Sequence, residues 1–164
     1  MSSFTDILSA YQQFPTQCQS LMLSTINSEG VPEASYAPFV WNQDYQFYIF
    51  VSGLSSHTGN LLKTAKAGIL LIEDETAASQ IFARRRLSYT CQAMLIERNS
   101  QKWEQLCDRF QNRFGGIIDM LRPLTDFQII QLSPEQGRFI VGFGAAYQVD
   151  PNDLSQLLPN AISR

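Results

Sequence analysis

Apolar residues along this chain recur at two spacings, which predict many strands and a few helices. Near the start, Phe4, Ile7, Leu8, Tyr11 and Phe14 recur at helical spacing and predict a helix over residues 3–14. Period-two or continuous apolar runs predict strands at residues 21–26, 33–41, 45–52, 67–73, 86–97, 127–132 and 138–141. Helical patterns follow at residues 58–66, 100–114 and 116–121. These helices do not alternate regularly with the strands, so the order favours an antiparallel sheet over repeating β-α-β units.

The predicted strand at 45–52 is apolar on both faces. Phe47, Ile49 and Val51 lie on one face, and Tyr48 and Phe50 lie on the other. A strand buried on two sides belongs in a barrel or beneath a covering helix. The fold class predicted is therefore β-rich, an antiparallel barrel of six or seven strands with flanking helices.

The length of 164 residues and the absence of a linker predict one domain over 1–164, with its core at about 18–149. Residues 134–137, Pro-Glu-Gln-Gly, are expected to form a turn between the last two strands. Residues 142–147 are expected to continue the final strand through a bend. The tail 150–164 is polar and loosely patterned.

Charge and composition exclude several kinds of partner. The formal net charge is −3 and the only basic run is Arg84-Arg85-Arg86, so a nucleic-acid partner is not expected. No apolar run reaches the length of a membrane span, and the chain begins without a secretory signal pattern. The three cysteines are odd in number and have no CxxC spacing, which indicates reduced thiols and no structural zinc. We therefore expect a cytoplasmic protein without a membrane partner.

The richest chemistry lies where the strand FYIFVS (47–52) passes through a Gly/Ser loop into a helix. This loop holds His57, the only histidine of the chain. Unpaired amides at a helix start carry partial positive charge and readily hold a phosphate or a carboxylate. The candidate cofactor-binding residues at and around this junction are Ser35, Val51, Ser52, Ser55, Ser56, His57 and Thr58. Each of the serines and Thr58 could instead be an ordinary turn or cap residue.

The order of turn-Gly-x-Pro, strand, Asn/Asp turn, aromatic strand, Ser/Gly loop and short helix resembles the pyridoxamine 5'-phosphate oxidase-like split barrel. Within it, the chain most resembles the haem-utilisation, HugZ-like proteins. The resemblance is carried by SYAPFV (35–40), SSHTGNL (55–61), RRRLSY (84–89), RFGGIIDMLRPLTDFQIIQL (113–132) and GRFIVGFGAAY (137–147). It implies an FMN-binding split-barrel type of fold and a homodimer with haem or FMN at the subunit interface.

The resemblance implies a cofactor-binding redox protein, an oxidoreductase that opens the porphyrin in the haem branch. Two alternatives stay open: an FMN-dependent oxidoreductase acting on a small substrate, and a haem or flavin carrier without catalysis. This chain has Ser35 where the oxidases have an arginine, and Ser56-His57 where they have Arg-Lys. Haem ligation in the family is attributed to a histidine near the C-terminus, whereas His57 is the only possible histidine ligand in this sequence.

The resemblance also suggests roles for individual residues. His57 could bind an anion, ligate iron or pair with a carboxylate, and Asp126 is similar to the family's acidic partner for it, in a candidate catalytic pair. The alternative for His57 is a loop cap. Arg86 could reach a phosphate or propionate, or could belong to a solvated rim together with its two neighbours. Three aromatics near the last strand could flank a flat ring or fill the core: Phe139, Phe143 and Tyr147.

Overall fold

The computed structural model describes residues 3–161. The helices are α1 (Phe4–Gln13), α2 (Ser56–Thr64), α3 (Gln101–Phe114) and α4 (Ile117–Leu121). The strands are β1 (Ser20–Ile26), β2 (Pro32–Trp41), β3 (Phe47–Ser52), β4 (Lys66–Ile72), β5 (Arg86–Leu95), β6 (Phe127–Gly142), β7 (Ala145–Asp150) and β8 (Asp153–Ala161). Short 3₁₀ turns lie at Phe14–Gln17, Glu75–Ala77 and Ile81–Ala83. Residues 162–164 of the predicted tail lie outside the described residues.

The strands form one antiparallel sheet that closes on itself. Its order is β3-β2-β1-β4-β5-β6-β7-β8, and a further pairing of β3 with β6 completes a six-stranded barrel. Strands β7 and β8 extend the sheet beyond the barrel. The predicted antiparallel split barrel with flanking helices is confirmed, although the described residues contain eight strands rather than six or seven.

The two apolar faces of β3 enter two separate cores, as its sequence predicts. Phe47, Ile49 and Val51 lie in the barrel interior. Tyr48 and Phe50 lie in a second cluster on the outside of the barrel, beneath α3. The residues of α3 in this second cluster are Trp103, Leu106, Cys107 and Phe110. Helix α3 therefore covers the outer face of the strand that leads to the Gly/Ser loop.

The turn expected at 134–137 is wrong, because β6 runs without interruption through these residues. The register against β5 shifts so that Thr90 faces Gln136 and Cys91 faces Pro134, which leaves Glu135 as the extra residue of a bulge. Proline is tolerated at such a bulge because it need not donate a ladder hydrogen bond. Gly137 is required by close packing, since a Cβ there would lie 2.3 Å from the Tyr89 ring.

The bend expected at 142–147 is also wrong, because the chain reverses there. Gly144 has φ +67°, a conformation that favours glycine, and the turn it forms returns the chain as β7. The segment after residue 150, polar and loosely patterned in sequence, forms β8. Val149 of β7 and Leu157 of β8 are buried in the barrel core, so this hairpin is part of the packed structure.

Helix α1 closes the end of the barrel where β3 begins. Ser3 and Asp6 form a reciprocal capping box at its start, as their spacing predicts. Tyr11 is fully buried, stacks on Tyr45, and is hydrogen-bonded through its hydroxyl to that of Tyr89 at 2.6 Å. No helix within residues 3–161 has both the length and the apolar character needed to cross a bilayer.

Candidate functional site

The Gly/Ser loop at the end of β3 is tied tightly to the start of β6. The Gly53 amide donates to the Asp126 carbonyl at 2.7 Å, and a Cβ at Gly53 would lie 3.1 Å from that oxygen. The Ser52 carbonyl accepts hydrogen bonds from the Ser55 amide at 3.2 Å and from the Thr58 hydroxyl at 2.6 Å. These bonds fix the path of the loop and place the first turn of α2 at this end of the barrel.

The start of α2 offers unpaired donors. The amides of Ser56 and His57 donate to no acceptor within residues 3–161, whereas those of Thr58 and Gly59 donate to the Ser55 carbonyl. Ser55 occupies the N-cap position but makes no side-chain cap bond, so its hydroxyl is also uncommitted. Two free amides and a hydroxyl at a helix start can hold one carboxylate or phosphate group.

His57 is partly buried in the first turn of α2. Its Nε2 atom is sealed from solvent and has no hydrogen-bond partner within the described chain. Burial lowers the pKa of His57, because desolvation disfavours the charged imidazolium. The ring is therefore neutral at physiological pH, which is the form that can ligate a metal.

Asp126 lies beside the same loop but bonds to another residue. Its Oδ2 accepts a hydrogen bond from the Ser52 hydroxyl at 2.7 Å, and the Ser52 Oγ in turn accepts from the Leu54 amide. Within one chain His57 and Asp126 form no hydrogen bond or ion pair. Their pairing across a subunit interface stays a prediction.

Three polar side chains near α2 are directed into the protein: two have an atom without a hydrogen-bond partner, and one is a buried amide. Ser35 Oγ on β2 and Gln128 Oε1 on β6 are sealed from solvent without a partner. Asn60 on α2 is buried and donates to Thr25 Oγ1 and to Glu33 Oε2, both at 3.1 Å. Neither Gln128 nor Asn60 was predicted as a site residue. The only signal for Gln128 was a polar residue two positions before Ile130 and four before Leu132, on the face of β6 that points inward.

The remaining candidates on β3 and α2 serve mainly as scaffold. Val51 packs in the barrel core, so only its backbone is available to a ligand. Thr58 is fully buried, and its hydroxyl is used by the Ser52 carbonyl. The side chains that remain for direct ligand contact are those of Ser55, Ser56 and His57.

Arg86 lies far from this loop within one chain. It faces Ile72 across the β4–β5 ladder, six residues from the Lys66–Gln92 pair at which α2 enters β4. Six residues of strand span about 20 Å. Arg84 and Arg85 are engaged by the acidic residues Glu75 and Glu73, at 3.0 and 2.8 Å. On β6, Arg86 pairs with Ile140 whereas Ser52 pairs with Phe127, so Arg86 and the Gly/Ser loop lie at opposite ends of the barrel.

The three aromatics expected to flank a ring do not lie together. Phe139 is fully buried in the barrel and packs edge-on against Tyr11 and Phe14. Phe143 lies exposed at the turn before β7, and Tyr147 packs against Phe4 of α1. Phe139 is therefore a core residue, and the three do not line a common slot within one chain.

The outer face of the barrel carries a shallow apolar groove of about 680 Å³. Larger residues that include Leu70, Gln136 and Arg138 line it together with small residues from five neighbouring strands: Ser24, Ala34, Gly68, Ser88, Thr90 and Gly137. Two large side chains at or beside it, Met22 and Tyr36, are 50% and 63% exposed. This groove is a concave surface of the kind that another protein surface can fill.

Thiols do not contribute a metal site. Cys18, Cys91 and Cys107 are all buried and free, and burial raises the pKa of Cys91 to about 12 and that of Cys107 to about 11. They stay protonated, while a metal ligand must be a thiolate. Within residues 3–161 no group of three or more His, Cys, Asp and Glu side chains could hold a metal ion.

Comparison with known proteins places these features in context. The family model described as pyridoxamine 5'-phosphate oxidase matches residues 7–141. The "Heme oxygenase HutZ" of Vibrio cholerae serotype O1 is 43% identical over 143 residues, which are 87% of this chain and 81% of that protein. The predicted resemblance to haem-utilisation proteins of the split-barrel type is confirmed.

Solved structures are similar to this chain as well. The crystal structure of HutZ, described as the heme storage protein from Vibrio cholerae, matches with a TM-score of 0.75 at 38% identity, covering 86% of this chain and 96% of that one. Campylobacter jejuni ChuZ matches with a TM-score of 0.85 at 30% identity, covering 98% of this chain and 65% of ChuZ.

Proposed function

Because this chain belongs to the pyridoxamine 5'-phosphate oxidase family, we propose that it is a haem-binding redox protein whose site lies where β3 leads into α2. The observation that carries the proposal is the buried His57 Nε2, which has no partner and belongs to an imidazole kept neutral by burial. A relative 43% identical to this chain is named a heme oxygenase. When bound, haem supplies the redox chemistry and the protein supplies recognition and orientation.

The residues at the junction suit the parts of haem that need polar partners. A neutral imidazole is an iron ligand, and two free amides with the Ser55 hydroxyl suit a propionate carboxylate. Since Nε2 is covered within the chain, ligation of iron through this atom would require the ring to turn out of its pocket. Nε2, which has no hydrogen-bond partner in the interior, would then gain iron as a partner, and this gain favours the movement.

The same residues suit FMN less well. Residues 53–59 contain no lysine or arginine, so the phosphate dianion would have amides and hydroxyls alone and no charge-assisted bond from a side chain. An FMN-dependent oxidoreductase acting on a small substrate is therefore the weaker alternative. It would require Arg86 to arrive from a second subunit.

We infer that the protein is a homodimer joined through the groove on the outer barrel face. The small central side chains and the exposed Met22 and Tyr36 support this, because a second copy would remove apolar surface from water. Arg86, Ser88 and Thr90 are two residues apart along β5, so all three lie on the same face, with Arg86 at the start of the strand. A dimer would give each cofactor site a guanidinium from the other subunit.

Haem storage without turnover is the second candidate. It is favoured by the separation of the acid and the base, since the Asp126 carboxylate bonds to Ser52 and not to His57. A structure of HutZ is also described as that of a heme storage protein. Addition of a reductant and oxygen to the haem complex separates the candidates, because only an oxygenase converts the porphyrin to an open-chain pigment.

Titration of the purified protein with haem and, separately, with FMN tests the proposal. We expect a stoichiometric Soret band with haem, and about tenfold or more weaker haem binding for His57→Ala, because the ligand is lost. Lys63→Ala is the matched control, since Lys63 is exposed on the same helix. If His57→Ala binds haem as tightly as the wild type does, His57 is not the ligand. If only FMN binds, the FMN alternative replaces the proposal.

We also propose that the protein works in the reducing cytoplasm. The three cysteines are free and buried at separate places in the fold, which is the usual state of thiols in that compartment.

A further inference from the structure

A second groove lies on the opposite side of β3 from the barrel interior, between α3 and the turn before β3. It measures about 760 Å³, and the residues that line it include Asn42, Tyr48, Lys102, Gln105 and Arg109. It is predominantly polar in lining, unlike the apolar groove on the outer barrel face. Nothing in the proposed haem site uses these residues.

Lys102 is held in place by a chain of amides. Its Nζ donates to Gln131 Oε1 at 2.7 Å, and Gln131 Nε2 donates in turn to Gln46 Oε1 and to Ser133 Oγ. The same ammonium lies 5.5 Å from the centre of the Tyr48 ring. An ammonium has three donors, so Lys102, an exposed side chain with one hydrogen bond, keeps two for a ligand.

Arg109 differs from the other arginines around α3. The Arg113 guanidinium donates to the Cys18 carbonyl and lies 4.8 Å above the Phe39 ring, and Arg98 donates to the carbonyls of Phe127 and Arg122. Arg122 pairs with Glu104 and Asp108. Arg109 makes no ion pair or hydrogen bond within residues 3–161 and lines the groove.

Tyr48 adds a hydroxyl to the lining of the groove. Its side chain is only 3% exposed, yet its hydroxyl makes no hydrogen bond within residues 3–161 and is not among the atoms sealed from solvent. Since Tyr48 lines the groove, this hydroxyl opens into it. A buried tyrosine ordinarily finds a partner for its hydroxyl. Burial raises the pKa of Tyr48, with Arg109 opposing the rise and Asp44 adding to it, so the hydroxyl is a donor at neutral pH.

We propose that this groove binds a small molecule that carries two linked anionic groups, such as a diphosphate, one held by Lys102 and one by Arg109, with the Tyr48 hydroxyl between them. The two cations are seven residues apart on α3, which is about 10 Å along the helix axis, and both approach Tyr48. A ligand with two linked anionic groups can engage both cations at once. Asp44 in the adjoining turn is one acidic group against two cations, so the groove retains a net attraction for anions.

Titration with inorganic pyrophosphate, monitored by amide NMR and by calorimetry at constant ionic strength, tests the proposal. We expect shifts in residues of the groove, with Tyr48→Phe weakening binding about fivefold and Lys102→Gln or Arg109→Gln about tenfold each. Lys66→Gln is the matched control, because Lys66 is an exposed cation on β4, outside the groove, and should leave binding unchanged. Thermal unfolding of each variant shows that the fold is retained.

Phosphate and succinate serve as comparison ligands. Weaker binding of phosphate than of pyrophosphate supports two linked groups, and succinate separates a phosphate from a carboxylate preference. The proposal is overturned if Tyr48→Phe and Arg109→Gln bind pyrophosphate like the wild type, if phosphate binds as tightly as pyrophosphate, or if shifts occur only at Ser56 and His57. The last outcome would assign the anion to the start of α2.

Discussion

His57 shows what burial does to a single titratable residue. The ring is partly covered, and no carboxylate within the described chain compensates for the loss of water around a charged imidazolium. The pKa of His57 is therefore lower in the folded state than the usual value of about 6.5. Because the chain has one histidine, its ring protons can be followed without ambiguity.

This lowered pKa predicts a pH dependence of stability. Below about pH 6.5 the unfolded chain protonates His57 while the folded chain does not, so the free energy of unfolding falls as the pH drops through the folded pKa. Above pH 6.5 the contribution is complete. We expect His57→Gln to lose less stability than the wild type between pH 7.5 and 5.5, measured by urea denaturation. Equal losses in the two proteins would show that His57 does not titrate with a lowered pKa.

The neighbours of Gly137 leave no room for a side chain at this position. A Cβ there would lie 2.3 Å from one Tyr89 ring carbon and 2.8 Å from Val149 Cγ2. We expect Gly137→Ala to destabilise the protein by about 1–3 kcal/mol, because the Tyr89 ring and β7 must move apart. Gly142→Ala is the matched control in the same strand, since a Cβ there meets nothing within 4 Å. Comparable midpoints for the two variants in chemical denaturation would contradict this account.

At the scale of elements, local pattern predicted most of the strands but not how far β6 and the last hairpin extend. The alternation from Phe47 to Val51 correctly predicted that both faces of β3 are buried, because each face packs into a different core. Pro134 and Gly137 suggested a turn by their composition, whereas a bulge opposite Cys91 and the close approach of Tyr89 are tertiary features. No local signal in the sequence distinguishes a proline and a glycine in a turn from the same residues in a bulged strand.

The candidate site was predicted only in part for a similar reason. His57 and the serines stand out because polar residues at a strand–helix junction have a local meaning. Asn60 acts through partners distant in sequence, such as Thr25, which is 35 residues away. Gln128 Oε1 is sealed from solvent only because β6 closes the barrel against β3. The 20 Å separation between Arg86 and the entry of α2 into β4 depends on strand register, which the sequence pattern does not contain.

Helix α2 is fixed to the β1–β2 hairpin through Asn60, and this predicts a coupling to His57. Asn60→Leu removes the donor to the buried Thr25 hydroxyl and to Glu33 Oε2, and it leaves Glu33 with only the Asn27 amide at 3.4 Å within the described chain, so we expect a loss of about 1–3 kcal/mol in stability. The loosened helix should also let water reach His57 and move its pKa towards 6.5 in NMR titration. Lys63→Ala, exposed on the same helix, should change neither quantity. An unchanged His57 pKa in Asn60→Leu would limit Asn60 to a structural role.

At the scale of the whole molecule, the barrel presents two kinds of surface on its outside. The face beneath α3 is sealed by an apolar helix stripe, whereas the groove on the other sheet face combines small side chains with Leu70, Gln136 and Arg138 and leaves Met22 half exposed. We propose that this sheet face packs against a second copy of itself in a two-fold dimer. The isolated chain also keeps Arg86 away from α2, so both observations favour association.

The dimer can be tested by placing a charge at the centre of this face. Ser24 is exposed in the isolated chain and lines the groove, so Ser24→Arg should fold normally but bury an unpaired guanidinium in a dimer. We expect the wild type to sediment as a dimer at micromolar concentration and Ser24→Arg as a monomer with at least tenfold weaker haem binding. Asn152→Arg, in the exposed turn between β7 and β8, should remain dimeric. A wild type that is monomeric at micromolar concentration would remove the interface, and with it the means of bringing Arg86 to the haem site.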